Sequence, residues 1–282
     1  MLLLGLTVIA AAINVSMADS RDQRIRPPRP VTPKAPSGKV YNRYQAPKYT
    51  PSEEKSQSHH FPWKLQIAAT LFWIGERPTK NNPTPNHASS WDTLWQRNYG
   101  GYDDPNPHNR TGYRPKGFTP MQNPFYVALP YNDIEAVGKT KVEARRVIPW
   151  FRERFKKQGR TVCKGQWVVI RYKNRFCFAQ WEDCGPFTTD DWRYVFGNFK
   201  PKNKSNNGAG IDVSPAVRDY LKLKSGQKVD WRFVSEGEIR NGPWKYYGRN
   251  NQFAKSRYTE QAKKATAEEL FQQRQNWLRE GR

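Results

Sequence analysis

WEDCGPF (Trp181–Phe187) sets two carboxylates, a cysteine and a Gly-Pro turn directly after an apolar run. Further on, GAGIDVSPAV (Gly208–Val217) puts a lone aspartate behind two glycines, at what reads as a helix start. Asp183 and Asp212 are either ordinary turn and cap residues or two halves of one acid/base site. Both readings have a physical basis. An aspartate before Cys-Gly-Pro shapes a turn, and one just before Ser-Pro accepts backbone N–H groups at a helix start. A glycine-flanked aspartate among aromatic segments also has the surroundings that raise a carboxyl pKa.

Outward from these stretches the pattern is mainly β. CKGQWVVIRYKNRFCFAQWEDC (163–184) reads as a hairpin over Gln166–Trp181, turning at Lys173-Asn174. With that two-residue loop, paired positions sum to 347, which sets Cys163 opposite Cys184 and turns Cys177 to the other face. A Cys163–Cys184 disulfide is expected on this register. The alternative is three buried reduced thiols. Ser214 is the expected N-cap of SPAVRDYLKL, with Pro215 at its first helical position. QKVDWRFV (227–234) alternates as a closing strand, and TTDDWRYVFG (188–197) reads as a turn or one short helix.

Upstream, the run Leu65–Ile74 and the stretch NPFYVALPYND (123–133) read as strands. TKVEARRVIPWFRERFKK (140–157) predicts a helix opened by a Thr140/Glu143 capping box. Pro149 splits it, leaving Trp150, Phe151 and Phe155 facing inward. Residues 76–124 show little periodicity, a long loop that is either disordered or functional. Trp91, Trp95, Tyr99, Tyr102 and Tyr113 argue that it packs. There is no internal repeat.

Composition bounds the rest. Hydrophobic residues make up 36% of the 282 positions and aromatics 14%, with 11 tryptophans, so one aromatic-rich core with unpacked ends is expected. Residues 1–18 read as a signal peptide or anchor, with small residues before Asp19 but no basic leader. Residues 19–60 are a disordered Pro/Arg/Lys-rich linker, 61–235 the folded domain, and 236–282 a polar tail with a C-terminal helix. The leader run is too short for a spanning helix, so no stable membrane span follows its cleavage. Net charge is +23, of which residues 61–235 carry 29 basic against 15 acidic side chains. Such a surface favours polyanions. For an exported chain in the periplasm, cell envelope or extracellular space, these are anionic envelope polymers; nucleic acid is the lesser candidate. Four histidines without HExxH or paired-cysteine spacing support no metal site, and no dinucleotide or P-loop fingerprint calls for a cofactor. Nothing bears on oligomeric state.

Strand, DCGPF, loop, GIDVS, short helix, strand resembles the double-psi β-barrel of the rare lipoprotein A-like and expansin-like families. There, Asp-Arg-Gly-Pro-Phe ends one strand and Ile-Asp-Leu-Ser precedes a short helix. Asp183, Gly185, Pro186, Phe187, Ile211, Asp212 and Ser214 match, while Cys184 stands in place of the arginine. The likeness spans about Trp167–Val234 and extends less clearly to ATLFWIGE as a first barrel strand. It implies a six-stranded double-psi β-barrel, here with inserted short helices and a long aromatic-rich loop. The resemblance also implies a polysaccharide groove, and either a lytic transglycosylase-like cleavage of peptidoglycan or a non-catalytic expansin-like role. Asp212 is then the candidate general acid, Asp183 its partner, Glu182 a neighbouring carboxylate, and Trp181 and Trp192 candidate sugar-stacking faces. Gly210-Ile211 departs from the His-Phe of the endoglucanase and expansin pattern.

Overall fold

The computed structural model describes residues 61–79, 82–255, 268, 271 and 272. The expected leader, the linker and most of the C-terminal helix lie outside these residues.

Six strands close into a barrel: β1 (Lys64–Leu71), β4 (Tyr126–Leu129), β5 (Gln166–Tyr172), β6 (Arg175–Cys184), β7 (Ile211–Val213) and β8 (Lys228–Phe233); the short β2 (Arg110–Thr111) and β3 (Arg114–Pro115) pair separately. Around the barrel the order is β1-β7-β4-β6-β5-β8. Two of the pairings are parallel, β1 with β7 and β4 with β6, and the other four are antiparallel. Closure leaves none of these six strands with an open edge. The strand β8 follows its sequence alternation: Val229, Trp231 and Phe233 are buried, while Asp230 pairs outward with Arg171 of β5 at 3.1 Å.

The barrel interior is aromatic, as composition implied. Trp181, Phe196 and Phe233 pack together, with Phe196 stacked on Phe233 at 5.8 Å, and the Trp231 indole donates to the Tyr194 hydroxyl at 2.7 Å. Helix α5 (Pro215–Leu221) starts where expected. The Ser214 hydroxyl accepts from Val217 N at 3.3 Å and donates to the Pro124 carbonyl at 2.8 Å, tying the cap to the strand beside it.

Elsewhere local propensity yields to packing. The 140–157 segment forms two single-turn helices, α2 (Ala144–Val147) and α3 (Phe151–Arg154), divided at Pro149. The expected capping box does not form: Glu143 makes no capping bond, and the Thr140 hydroxyl accepts from Gly159 N instead. A capping box does occur at Ser235 and Glu238, which the sequence reading did not single out. Residues from 236 are not a detached tail. Ile239, Trp244, Tyr247 and Ala254 are buried, and the Trp244 ring lies against Phe125, Phe178 and Tyr220.

The long loop packs against the outside of the barrel. Trp95 and Tyr99 in α1 (Trp95–Tyr99) join Phe72, Ile74, Tyr126 and Ala128 in a second apolar cluster. In β4, therefore, Val127 and Leu129 face the barrel interior while Tyr126 and Ala128 face the insert, and the strand is buried on both sides. Beneath the insert, Asp103 bonds the Tyr126 hydroxyl at 2.8 Å and Arg110 at 2.6 Å, and Arg110 reaches Asp219 of α5 at 3.1 Å. Among the described residues, no helix is long and apolar enough to cross a membrane.

The Cys163–Cys184 bridge is a correction. The predicted register holds, from Gln166 opposite Trp181 to Tyr172 opposite Arg175. The pairing stops there, because Gln166 N bonds the Cys163 carbonyl at 3.0 Å and a turn through Gly165 carries Cys163 off the strand line. All three cysteines are free thiols, and Cys163 and Cys177 are fully buried.

Candidate functional site

Between β6 and β7 lies β4, and its Ala128 is in register with Asp183 on one side and Asp212 on the other. Asp212 is in turn in register with Thr70 of β1. Residues in register share a face, so Asp183, Ala128, Asp212 and Thr70 form one row across four strands on the insert side of the barrel. Two strand spacings separate the aspartate backbones by about 9–10 Å.

A bulge makes the row. On β6 the register passes from Trp181 opposite Val127 to Asp183 opposite Ala128, leaving Glu182 as the extra residue. Trp181 and Asp183, two apart, would otherwise point the same way. The bulge re-aims the strand, so Trp181 enters the core and Asp183 joins Ala128 on the outer face. The Trp181 indole then donates to the Asp183 carbonyl at 2.7 Å, bracing the kink.

Each aspartate is held differently. One Asp183 oxygen accepts two backbone N–H bonds, from Ser90 of the insert at 2.8 Å and from Cys184 at 2.7 Å. Burial raises its pKa, and those bonds oppose the rise. Asp212 accepts from the Thr70 hydroxyl. Burial pushes it up to about 7; the Thr70 bond opposes the rise, and the Asp183 and Glu76 carboxylates add to it. The Asp212 residue is half-buried, so solvent still reaches its edge. Gly185 stands over it with φ +153, and a Cβ at that position would come 3.3 Å from Asp212 Oδ2. A cleft of about 320 Å³ opens beside the row, lined by Asn86, Ser90, Asp183, Gly185 and Thr188 among others.

The remaining predicted site residues lie elsewhere. Trp181 is fully buried and has no face for a sugar. Glu182 is buried on the far side of the bulge, bonded by Asn250 at 3.1 Å and with Lys164 at 3.9 Å; burial pushes its carboxyl up to about 7. Neither lines the cleft. Trp192, at the start of α4 (Trp192–Val195) and half-buried under the Arg193 guanidinium at 4.8 Å, lines a separate cavity of about 630 Å³ with Phe199, Lys200, Lys202 and Lys204. Thr70, Glu76, Asn86 and Ser90 were not anticipated. Thr70 belongs to the run read only as a strand, and the other three come from the insert or its first position. Among the described residues, no group of three or more His, Cys, Asp or Glu side chains is placed to hold a metal ion.

Fold and site together define a closed six-stranded β-barrel carrying two carboxyls of raised pKa in one row, of which Asp183 lines a cleft. No protein-family model matches the chain, and comparison with curated proteins gives no match. Among solved structures, a Streptomyces papain inhibitor (SPI) is similar over 64% of this chain and 100% of its own, at 13% identity and a TM-score of 0.26. A likeness of that size carries no argument about function.

Proposed function

We propose that this chain is an exported double-psi β-barrel protein that acts on peptidoglycan or another wall polysaccharide, with Asp212 as general acid. The observation that carries the reading is the row Asp183–Ala128–Asp212. It sets two sequence-distant carboxyls in one row, Asp183 lining a cleft and Asp212, behind Gly185, pushed up to about 7 by burial. Glycosidic cleavage needs such a carboxyl, still protonated at working pH, beside the scissile oxygen. Asp212 gives its proton to the leaving oxygen. In a lytic transglycosylase-like step the sugar's own hydroxyl then bonds to the anomeric carbon and releases its proton to the ionised Asp212, so no water nucleophile enters. Burial keeps Asp212 protonated, and charge repulsion from Asp183 adds to it. The interleaved strand order, with its two parallel pairs, supports the double-psi assignment.

One observation favours a non-catalytic envelope-binding module instead. The Asp183 oxygen that accepts both Ser90 N and Cys184 N is held as a structural carboxylate is held. In that reading the cationic surface around Trp192, with Arg193, Lys200, Lys202 and Lys204, holds anionic wall polymer. Digestion of purified peptidoglycan by wild type and Asp212→Asn, analysed for anhydro-muramyl products, separates the two. Products lost in the variant support the enzyme. Co-sedimentation with no products from either protein supports the binder. Affinity that falls steeply with salt and shows no preference for wall glycan would instead indicate nucleic acid.

A further inference from the structure

Glu76 acts on Asp212 through space, yet it lines a different cavity. That cavity, about 680 Å³, is walled by Trp73, Glu76, Pro85, His87, Gln96 and Tyr102 among others. It meets the Asp183 cleft at the segment 84–87: Thr84 and Asn86 line one, Pro85 and His87 the other. Asn86 links them directly. Its amide nitrogen donates to a Glu76 carboxylate oxygen at 2.9 Å, and its backbone pairs with Gly75 and Glu76.

The walls have the chemistry of a carbohydrate site. Trp73 is half-buried and Tyr102 is 41% exposed, and the Trp73 indole donates to the Tyr102 hydroxyl at 3.1 Å, which fixes the two rings relative to each other. Aromatic faces take the apolar C–H face of a pyranose, and a few polar groups around them take its hydroxyls. Glu76, Gln96 and His87 supply those groups. The floor is built for close approach: Gly75 has φ +83, and a Cβ there would meet the Tyr102 ring at 2.9 Å and the Gln96 amide carbon at 3.0 Å. All of these residues follow β1 or belong to the insert; none comes from the DCGPF or IDVS stretch.

We propose that the Trp73–Tyr102–Glu76 cleft is the glycan-binding subsite of this protein, where one sugar ring stacks on the aromatic pair and the chain runs on toward Asp212. This rests on the polysaccharide reading above and supplies the stacking surface that Trp181 does not.

The test is calorimetric titration with a soluble β-1,4-linked N-acetylglucosamine hexamer, alongside co-sedimentation with peptidoglycan. Trp73→Ala and Tyr102→Ala are each expected to weaken hexamer binding about tenfold or more, equivalent to about 1.4 kcal/mol. Trp73→Phe, which keeps a ring, is expected to stay within about threefold. Near-UV circular dichroism checks that each variant is folded; Tyr102, at the surface, keeps the test open should Trp73→Ala not fold. Wild-type binding that persists unchanged in both alanine variants overturns the cleft and leaves the polysaccharide reading standing. A wild-type chain that binds neither hexamer nor peptidoglycan overturns both.

Discussion

Neutralising Asp212 should change how stability depends on pH. In the folded chain its carboxyl titrates at about 7 against an ordinary 3.8, chiefly because burial disfavours the charged form. At about 1.4 kcal/mol per tenfold, that makes ionising it in the folded state costlier by roughly 4 kcal/mol. Solvent at its half-exposed edge reduces the figure to roughly 2–4 kcal/mol. Between the two pKa values the folded protein keeps a proton that the unfolded chain has released. Stability attributable to this group is therefore complete below about pH 3.8 and falls until pH passes 7. Roughly 2 kcal/mol of that fall lies between pH 5 and pH 8. Asp183 and Glu182 are raised in the same direction and steepen the wild-type curve. The comparison with Asp212→Asn isolates the one carboxyl, because asparagine keeps an acceptor for the Thr70 hydroxyl. Urea unfolding at 25 °C and several pH values should show the variant gaining about 2 kcal/mol on wild type from pH 5 to pH 8. Parallel curves would refute the reasoning, since Asp212 would then ionise like any surface carboxylate.

Three further outcomes follow from the packing. Mass spectrometry after unreduced, denaturing alkylation should find three modified thiols, whereas a Cys163–Cys184 bridge would leave one. Arg110→Ala should destabilise by about 3–5 kcal/mol in denaturant melts, because it strands the fully buried Asp103 carboxylate; a loss under 1 kcal/mol would mean Asp103 is neutral in the fold. Ser214→Ala should cost about 2 kcal/mol, since one hydroxyl both caps α5 and bonds the Pro124 carbonyl. A change within error would leave the cap without that role.

Period-2 alternation and turn chemistry made much of the barrel legible. The hairpin turn, the register summing to 347, the Ser214 cap and β8 all depend on residues within a few positions of one another. What the sequence hid was long-range. The Glu182 bulge, which decides that Trp181 points in and Asp183 out, leaves no mark in the WEDCGPF pattern. Nor does WEDCGPF reveal that Ser90, ninety-three residues away, closes over Asp183. At 140–157 the break at Pro149 and the inward Trp150 and Phe151 were legible, but the Thr140/Glu143 capping box was not, because the Thr140 hydroxyl is taken by Gly159 N. Polarity misled beyond 236: the apolar anchors there, Ile239, Trp244 and Tyr247, are sparse but all buried.

Carbon-13 NMR titration of the aspartate carboxyls in wild type and Asp183→Asn bears most directly on the shared site. Asp212 should titrate near 7 in wild type and move down once the neighbouring charge is removed. A wild-type value near 4, or one that Asp183→Asn leaves in place, would mean the two carboxyls do not form one site.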